Sequence, residues 1–125
     1  MQMTILKAQL HNACVTELTD DNEIACFIDG DLLALAGIRE YEQIQIYNLD
    51  RNYSISTYAV HAQHGSRTIA LSRGLRMAVG DRLIICAYAD CTPQECRITK
   101  PVLVYCDQAN HVVGTTNSVS MSVAS

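Results

Sequence analysis

Cysteine brings the most varied chemistry to this sequence, which has six: Cys14, Cys26, Cys86, Cys91, Cys96 and Cys106. Cys86, Cys91 and Cys96 recur every five residues. Zinc sites use closely spaced ligand pairs in duplicate, so this spacing predicts no metal site. Cys14, Cys26, Cys86 and Cys106 lie inside apolar segments, where a free cysteine packs as a small hydrophobe. The expectation is therefore buried structural thiols, with a redox or nucleophilic thiol as the open alternative, and no disulfide framework.

The segments that hold these side chains read mainly as strands. Residues 4–11 alternate, with Leu6, Ala8 and Leu10 on one face and Lys7, Gln9 and His11 on the other. Residues 24–28 form a short apolar run suited to a strand covered on both sides. Asp29 or Asp31 can cap a helix over 32–36, which Gly37 stops. Alternation returns over 42–49, with Ile44 and Ile46 inward. The turn Asp50-Arg51-Asn52 then leads into a strand over 53–62. Turns at His64-Gly65-Ser66 and Gly80-Asp81 precede strands over 68–71 and 82–88; Thr92-Pro93 breaks the chain, and Pro101 opens a last strong strand over 102–106. Many short strands, close turns and one or two short helices imply a mostly-β fold, a small barrel without exposed edges.

A chain of 125 residues with 49% hydrophobic residues suits one domain and one core. The expected domain covers 1–116, and the Ser/Val/Ala-rich stretch 117–125 reads as a flexible tail. The formal net charge is −4, and the nine Lys and Arg residues form no cluster, which argues against nucleic acid as a partner. No apolar run approaches the ~18 residues of a membrane-spanning helix. The N-terminal MQMTILKAQLHN lacks a signal-peptide core, so a cytoplasmic protein with no membrane partner is expected.

Several segments together resemble the pyruvoyl-dependent aspartate 1-decarboxylase family. They are Leu10-His11, Val15-Thr16, Cys26 with Ile28-Asp29, and Leu33 through Ala36-Gly37-Ile38. Ser56-Thr57-Tyr58-Ala59, Gly65-Ser66-Arg67, Val79-Gly80-Asp81, and Pro101 with Tyr105 continue the match over roughly residues 1–110. The resemblance implies a double-psi β-barrel, a homotetramer with active sites shared between subunits, and a pyruvoyl group made by cutting the backbone at a Gly-Ser bond.

The departures from that pattern fall on the chemistry. In register, the Gly-Ser pair is Ile24-Ala25. Alanine has no hydroxyl to attack the preceding carbonyl or to be eliminated, and a β-branched residue replaces the permissive glycine. The pair is thus a degenerate cleavage site, and no cofactor is expected. Cys26 offers a thiol one residue on, but a one-residue shift reverses side-chain direction in a strand, so packing is the reading here. The family's lysine falls on Gln9, its carboxylate-binding arginine on Ser54, its tyrosine upstream of the cut on Asn22, and its asparagine on Ser72. Arg73-Gly74-Leu75 replaces a small Gly-Ala-Ala stretch, and Arg51 or Arg73 would have to stand in for the lost arginine.

Thr57, Tyr58 and His11 persist. The resemblance makes Tyr58 a candidate general acid or base, with His11 as a proton relay near neutral pH. Thr57, Ser72, Arg73 and Gly74 are candidate substrate-binding positions. The plainer reading of Thr57-Tyr58 is strand packing. The functional expectation is a repurposed enzyme acting on a small molecule by proton transfer and positioning: cyclisation, isomerisation, dehydration or addition. Ile24 and Leu75 suit a larger, less charged substrate than aspartate. A non-catalytic ligand-binding or assembly paralogue is the alternative, and residual aspartate decarboxylation the third reading.

Overall fold

The computed structural model describes residues 1–20 and 24–120. Asn22 and the end of the expected tail, 121–125, lie outside the described residues. The strands are β1 (Met3–Cys14), β2 (Glu17–Thr19), β3 (Cys26–Asp29), β4 (Gln43–Asn48), β5 (Tyr53–Ala62), β6 (Ile69–Ser72), β7 (Arg82–Cys91), β8 (Val102–Cys106) and β9 (Val112–Thr116). The helices are α1 (Gly30–Ala36) and α2 (Pro93–Ile98), and a single 3-10 turn covers Arg73–Leu75.

The hydrogen-bonded order is β2-β6-β3-β5-β4-β7-β1-β8-β9. β1 and β2 are consecutive, joined only through Val15 and Thr16, yet they occupy distant places in that order. Thr16 N–H donates to the Ile69 carbonyl at 2.8 Å, and Val15 N–H to the Asp81 carbonyl at 2.9 Å. One extended stretch therefore joins both sides of the sheet and closes it into the expected double-psi β-barrel. The parallel pairs β3–β5, β2–β6 and β1–β8 cross the otherwise antiparallel framework.

Inward positions alternate as the sequence predicts. Leu10, Ile28, Ile44, Ile46, Ile69, Leu71, Leu83 and Ile85 are almost fully buried. Each such side chain contributes about 1.5–3 kcal/mol by leaving water. Leu6 departs from its expected face. A bulge at Lys7 leaves Leu6 opposite the exposed Tyr88 but Ala8 opposite the buried Ala87, so the two sit on different faces.

Asp29 caps α1 by accepting from Asp31 N at 2.8 Å, and Gly37 ends it at φ 73°, a left-handed cap that costs glycine no Cβ clash. At Thr92-Pro93 the chain does not merely break: Thr92 and Glu95 form a capping box with proline in the first turn, and α2 follows.

Candidate functional site

Three strands surround the Ile24–Ala25 bond. β3 pairs in parallel with β5 (Cys26 with Ala59), so the residues just before β3 run beside Thr57 and Tyr58. On its other side β3 pairs with β6 (Cys26 with Leu71), which directs Ala25 towards Ser72. Thr57, only 7% exposed, donates its hydroxyl to the Ile24 carbonyl at 2.7 Å. That carbonyl belongs to the Ile24–Ala25 bond itself. Ala25 is 1% exposed, whereas Ile24 is 56% exposed. Ser72 caps the 3-10 turn by accepting from Gly74 N at 3.4 Å, which holds Arg73 and Gly74 beside the same end of the barrel.

This arrangement can polarise a carbonyl, but it does not fit a pyruvoyl precursor. The side chain at 25 is a buried methyl group. Cys26 is fully buried between Ala59 and Leu71, and burial pushes its thiol up to about 12. A neutral thiol facing the core is no nucleophile.

The arginine substitutes are engaged elsewhere. Arg51 Nε donates to Asp81 at 2.6 Å, and Asp81 also accepts from Asn48 at 3.0 Å and from Ala78 N at 3.0 Å. This network braces the turns before β5 and β7. Arg73 pairs with Asp20 at 2.5 Å on an exposed surface.

Tyr58 lies on the outer face of β5, half-buried, opposite Gln43 of β4 and 6.5 Å from the Tyr41 ring. The same face continues across β4 and β7 to β1. Ser56, Gln45, Cys86 and Gln9 form one cross-strand row; Ser54, Tyr47, Ile84 and His11 form the next. The positions that the resemblance gives as lysine and arginine, Gln9 and Ser54, thus share a face with His11 and Tyr58. His11 and Tyr58 themselves do not meet: β4 and β7 lie between their strands, a span of about 14 Å at ~4.8 Å per strand.

His11 stacks on Tyr105 with ring centroids 4.7 Å apart. Its Nε2–H donates to Gln9 Oε1 at 2.7 Å, while Gln9 Nε2 donates to Cys86 Sγ at 3.4 Å. Burial holds the His11 imidazole below the ordinary histidine value, so it is neutral at pH 7 with Nδ1 as its acceptor. Burial, a hydrogen bond with Tyr47 and the neighbouring Cys86 thiol push the Tyr88 phenol well above the usual tyrosine value. Tyr47, Gln45, Cys86 and Tyr88 share this face with His11 and Gln9 and were not among the candidates read from the sequence. The alternation over 82–88 places Cys86 and Tyr88 on one side, but which face matters is settled only by the pairing. The thiols are indeed free, and all but Cys96 are buried. Among the described residues no group of three or more His, Cys, Asp or Glu could hold a metal ion.

The family model for aspartate decarboxylase matches residues 1–113. The chain is 47% identical to the aspartate 1-decarboxylase of Alcanivorax borkumensis over 126 aligned positions, covering 99% of this chain and 100% of that one. It is similar to the aspartate 1-decarboxylases of Methylococcus capsulatus, at 45% identity, and Pseudomonas aeruginosa, at 44%, each with the same coverage. Among solved structures, the computationally designed msDPBB_sym2 protein aligns with a TM-score of 0.47 and 18% identity, covering 68% of this chain and 99% of that one.

Proposed function

Because the chain belongs to the aspartate decarboxylase family, we propose that it is an unprocessed member, which keeps the barrel, leaves the 24–25 bond intact and acts on a small molecule at the outer face of β5, β4, β7 and β1. The observation that carries this reading is the Thr57 hydroxyl, 2.7 Å from the carbonyl of a bond whose next residue is a buried alanine. The carbonyl-holding group is present, and the hydroxyl that would attack is missing.

The reactions that suit such a site need only proton transfer and positioning: cyclisation, isomerisation, dehydration or addition. Tyr58 serves as general acid or base on the β5 side, and His11, neutral and held by Gln9, offers Nδ1 on the β1 side. Thr57, Ser72 and Gly74, at the neighbouring barrel end around the Ile24 carbonyl, are the positions proposed to orient the substrate, and Arg73 would join them only by leaving Asp20. The assembly is a cytoplasmic homotetramer, tested by light scattering against about four times the chain mass of 13.8 kDa.

Intact-mass spectrometry tests the reading. A single species near 13.8 kDa that hydrazine does not label supports it. Fragments divided near residue 25 overturn it. Once a substrate is found, Tyr58→Phe leaving its turnover unchanged removes Tyr58 from the mechanism. The non-catalytic reading is favoured by the plain structural use of Thr57 and His11, each already hydrogen-bonded within the chain. Ligands that raise the melting temperature without being consumed would establish it. The relatives' printed activity, aspartate 1-decarboxylation, is the third reading, and β-alanine release from aspartate by the purified chain would install it.

A further inference from the structure

A hydrogen-bonded row without a formal charge joins β7 and β1 on the outer face of the barrel. Tyr88, two residues on from Cys86 in β7, stands on the same outward side of the strand. Gln9 donates to Cys86, and His11 donates to Gln9. Cys86 is only 3% exposed although it points away from the barrel interior, since this row covers it. Beside the row lies a cleft of about 340 Å³, lined by Thr4, Gln43, Ile44, Gln45, Tyr88 and Asp90.

The charge around this cleft is one-sided. Among the described residues lining it, Asp90 is the one acidic side chain and no basic one is present, and Asp90 accepts from the Thr4 hydroxyl at 2.8 Å. The cations of the flanking strands are engaged elsewhere: Lys7 pairs with Glu42 at 2.7 Å, and Arg82 with Asp50 at 3.0 Å. A carboxylate entering the cleft would lose water, meet Asp90 and find no cation among the described lining residues. A carboxamide would lose less hydration. Its carbonyl and N–H match the Gln43 carboxamide, the Gln45 Nε2 (whose Oε1 already accepts from Ser56) and the Tyr88 hydroxyl. The Tyr88 ring adds a flat apolar surface.

We propose that the cleft between Gln43, Gln45 and Tyr88, with its adjoining Cys86–Gln9–His11 row, binds a small uncharged molecule carrying a flat ring and an amide-type group. This deepens the functional reading above and rests on its premise that the outer face is the small-molecule site. Charge selection lies in Gln9 and Asp90, where a neutral amide and a carboxylate stand.

The test uses the full chain, with binding followed by NMR shift perturbation. The probes are the matched pairs nicotinamide and nicotinate, benzamide and benzoate, and asparagine and aspartate. The amide of each ring pair is expected to bind at least about tenfold more tightly than its acid, with shifts at Gln43, Gln45 and Tyr88. Asp90→Asn, an exposed change, narrows that ratio, and Gln9→Lys shifts it towards the acid. Acids binding as well as amides, or no amide binding below about 10 mM, overturns the proposal. The mass of the same sample keeps the two readings apart. An uncut chain that prefers acids refutes only this inference, whereas a cut chain refutes the unprocessed reading.

Discussion

The contact between Thr57 and the Ile24 carbonyl is the most informative single interaction in the molecule. It survives although Ala25 gives it no reaction to assist, so its present work is to satisfy a carbonyl near a buried strand end. Thr57→Val keeps the shape but orphans that oxygen, and is expected to lower unfolding free energy by about 1–2 kcal/mol in urea titration. The same geometry makes a positive prediction. In Ile24→Gly/Ala25→Ser a hydroxyl returns beside a carbonyl already held by Thr57, and slow backbone cleavage into 1–24 and 25–125 is expected by mass spectrometry. If the double variant stays uncut, Ser72 in place of asparagine is the remaining deficit. His11 shows the opposite economy: one bond to Gln9 and one stack on Tyr105 define its tautomer and plane, leaving Nδ1 to accept a proton.

The node that ties the elements together is Asp29, at the junction of β3 and α1. Its carboxylate accepts from Asp31 N at 2.8 Å, Gly65 N at 2.9 Å and Arg67 N at 2.7 Å, joining the α1 start to the turn between β5 and β6. Burial pushes its carboxyl up, but the backbone donors of Asp31, Arg67 and Gly65 together outweigh that and hold it below the usual carboxylate range. The folded value is thus below the unfolded one, so its stabilisation is present above the unfolded pKa of about 3.9 and is lost as pH falls through the folded value. Asp29→Asn keeps one acceptor oxygen for three donors and is expected to cost about 2–3 kcal/mol at neutral pH. Stability measured from pH ~5 downward should fall less steeply in this variant than in the parent; equal slopes would remove Asp29 from the acid response. α1 was readable because its cap and its glycine stop are local signals. β9 was not, because four of its five residues are exposed and show no inward alternation, and β2 has only three residues in which to show any. The bulge at Lys7 was equally hidden, since a bulge is defined by the partner strand it slips against.

Across the whole barrel, β4 sits between β5 and β7 with Ile46 fully buried at its centre. Ile46→Ala is expected to cost about 3–4 kcal/mol by calorimetry, since a closed barrel held by ladders on both sides cannot collapse into the cavity. Closure also explains how much of the site was legible. That no pyruvoyl group can form at 25 follows from one side chain lacking an oxygen, a chemical fact that no fold can alter. The inward alternation of Ile44 and Ile46, the turns at glycines and the α1 cap are likewise local, because backbone sterics and burial act within a few residues. Which outward side chains meet is another matter. Gln9 and Cys86 stand far apart in the chain, and they touch only because the β1–β7 register aligns them. The same long-range pairing parts His11 from Tyr58 and leaves Asp90 as the one charged side chain among the described residues that line its cleft. Register depends on bulges and on the closing of the sheet, which are properties of the assembled strands and of no segment alone.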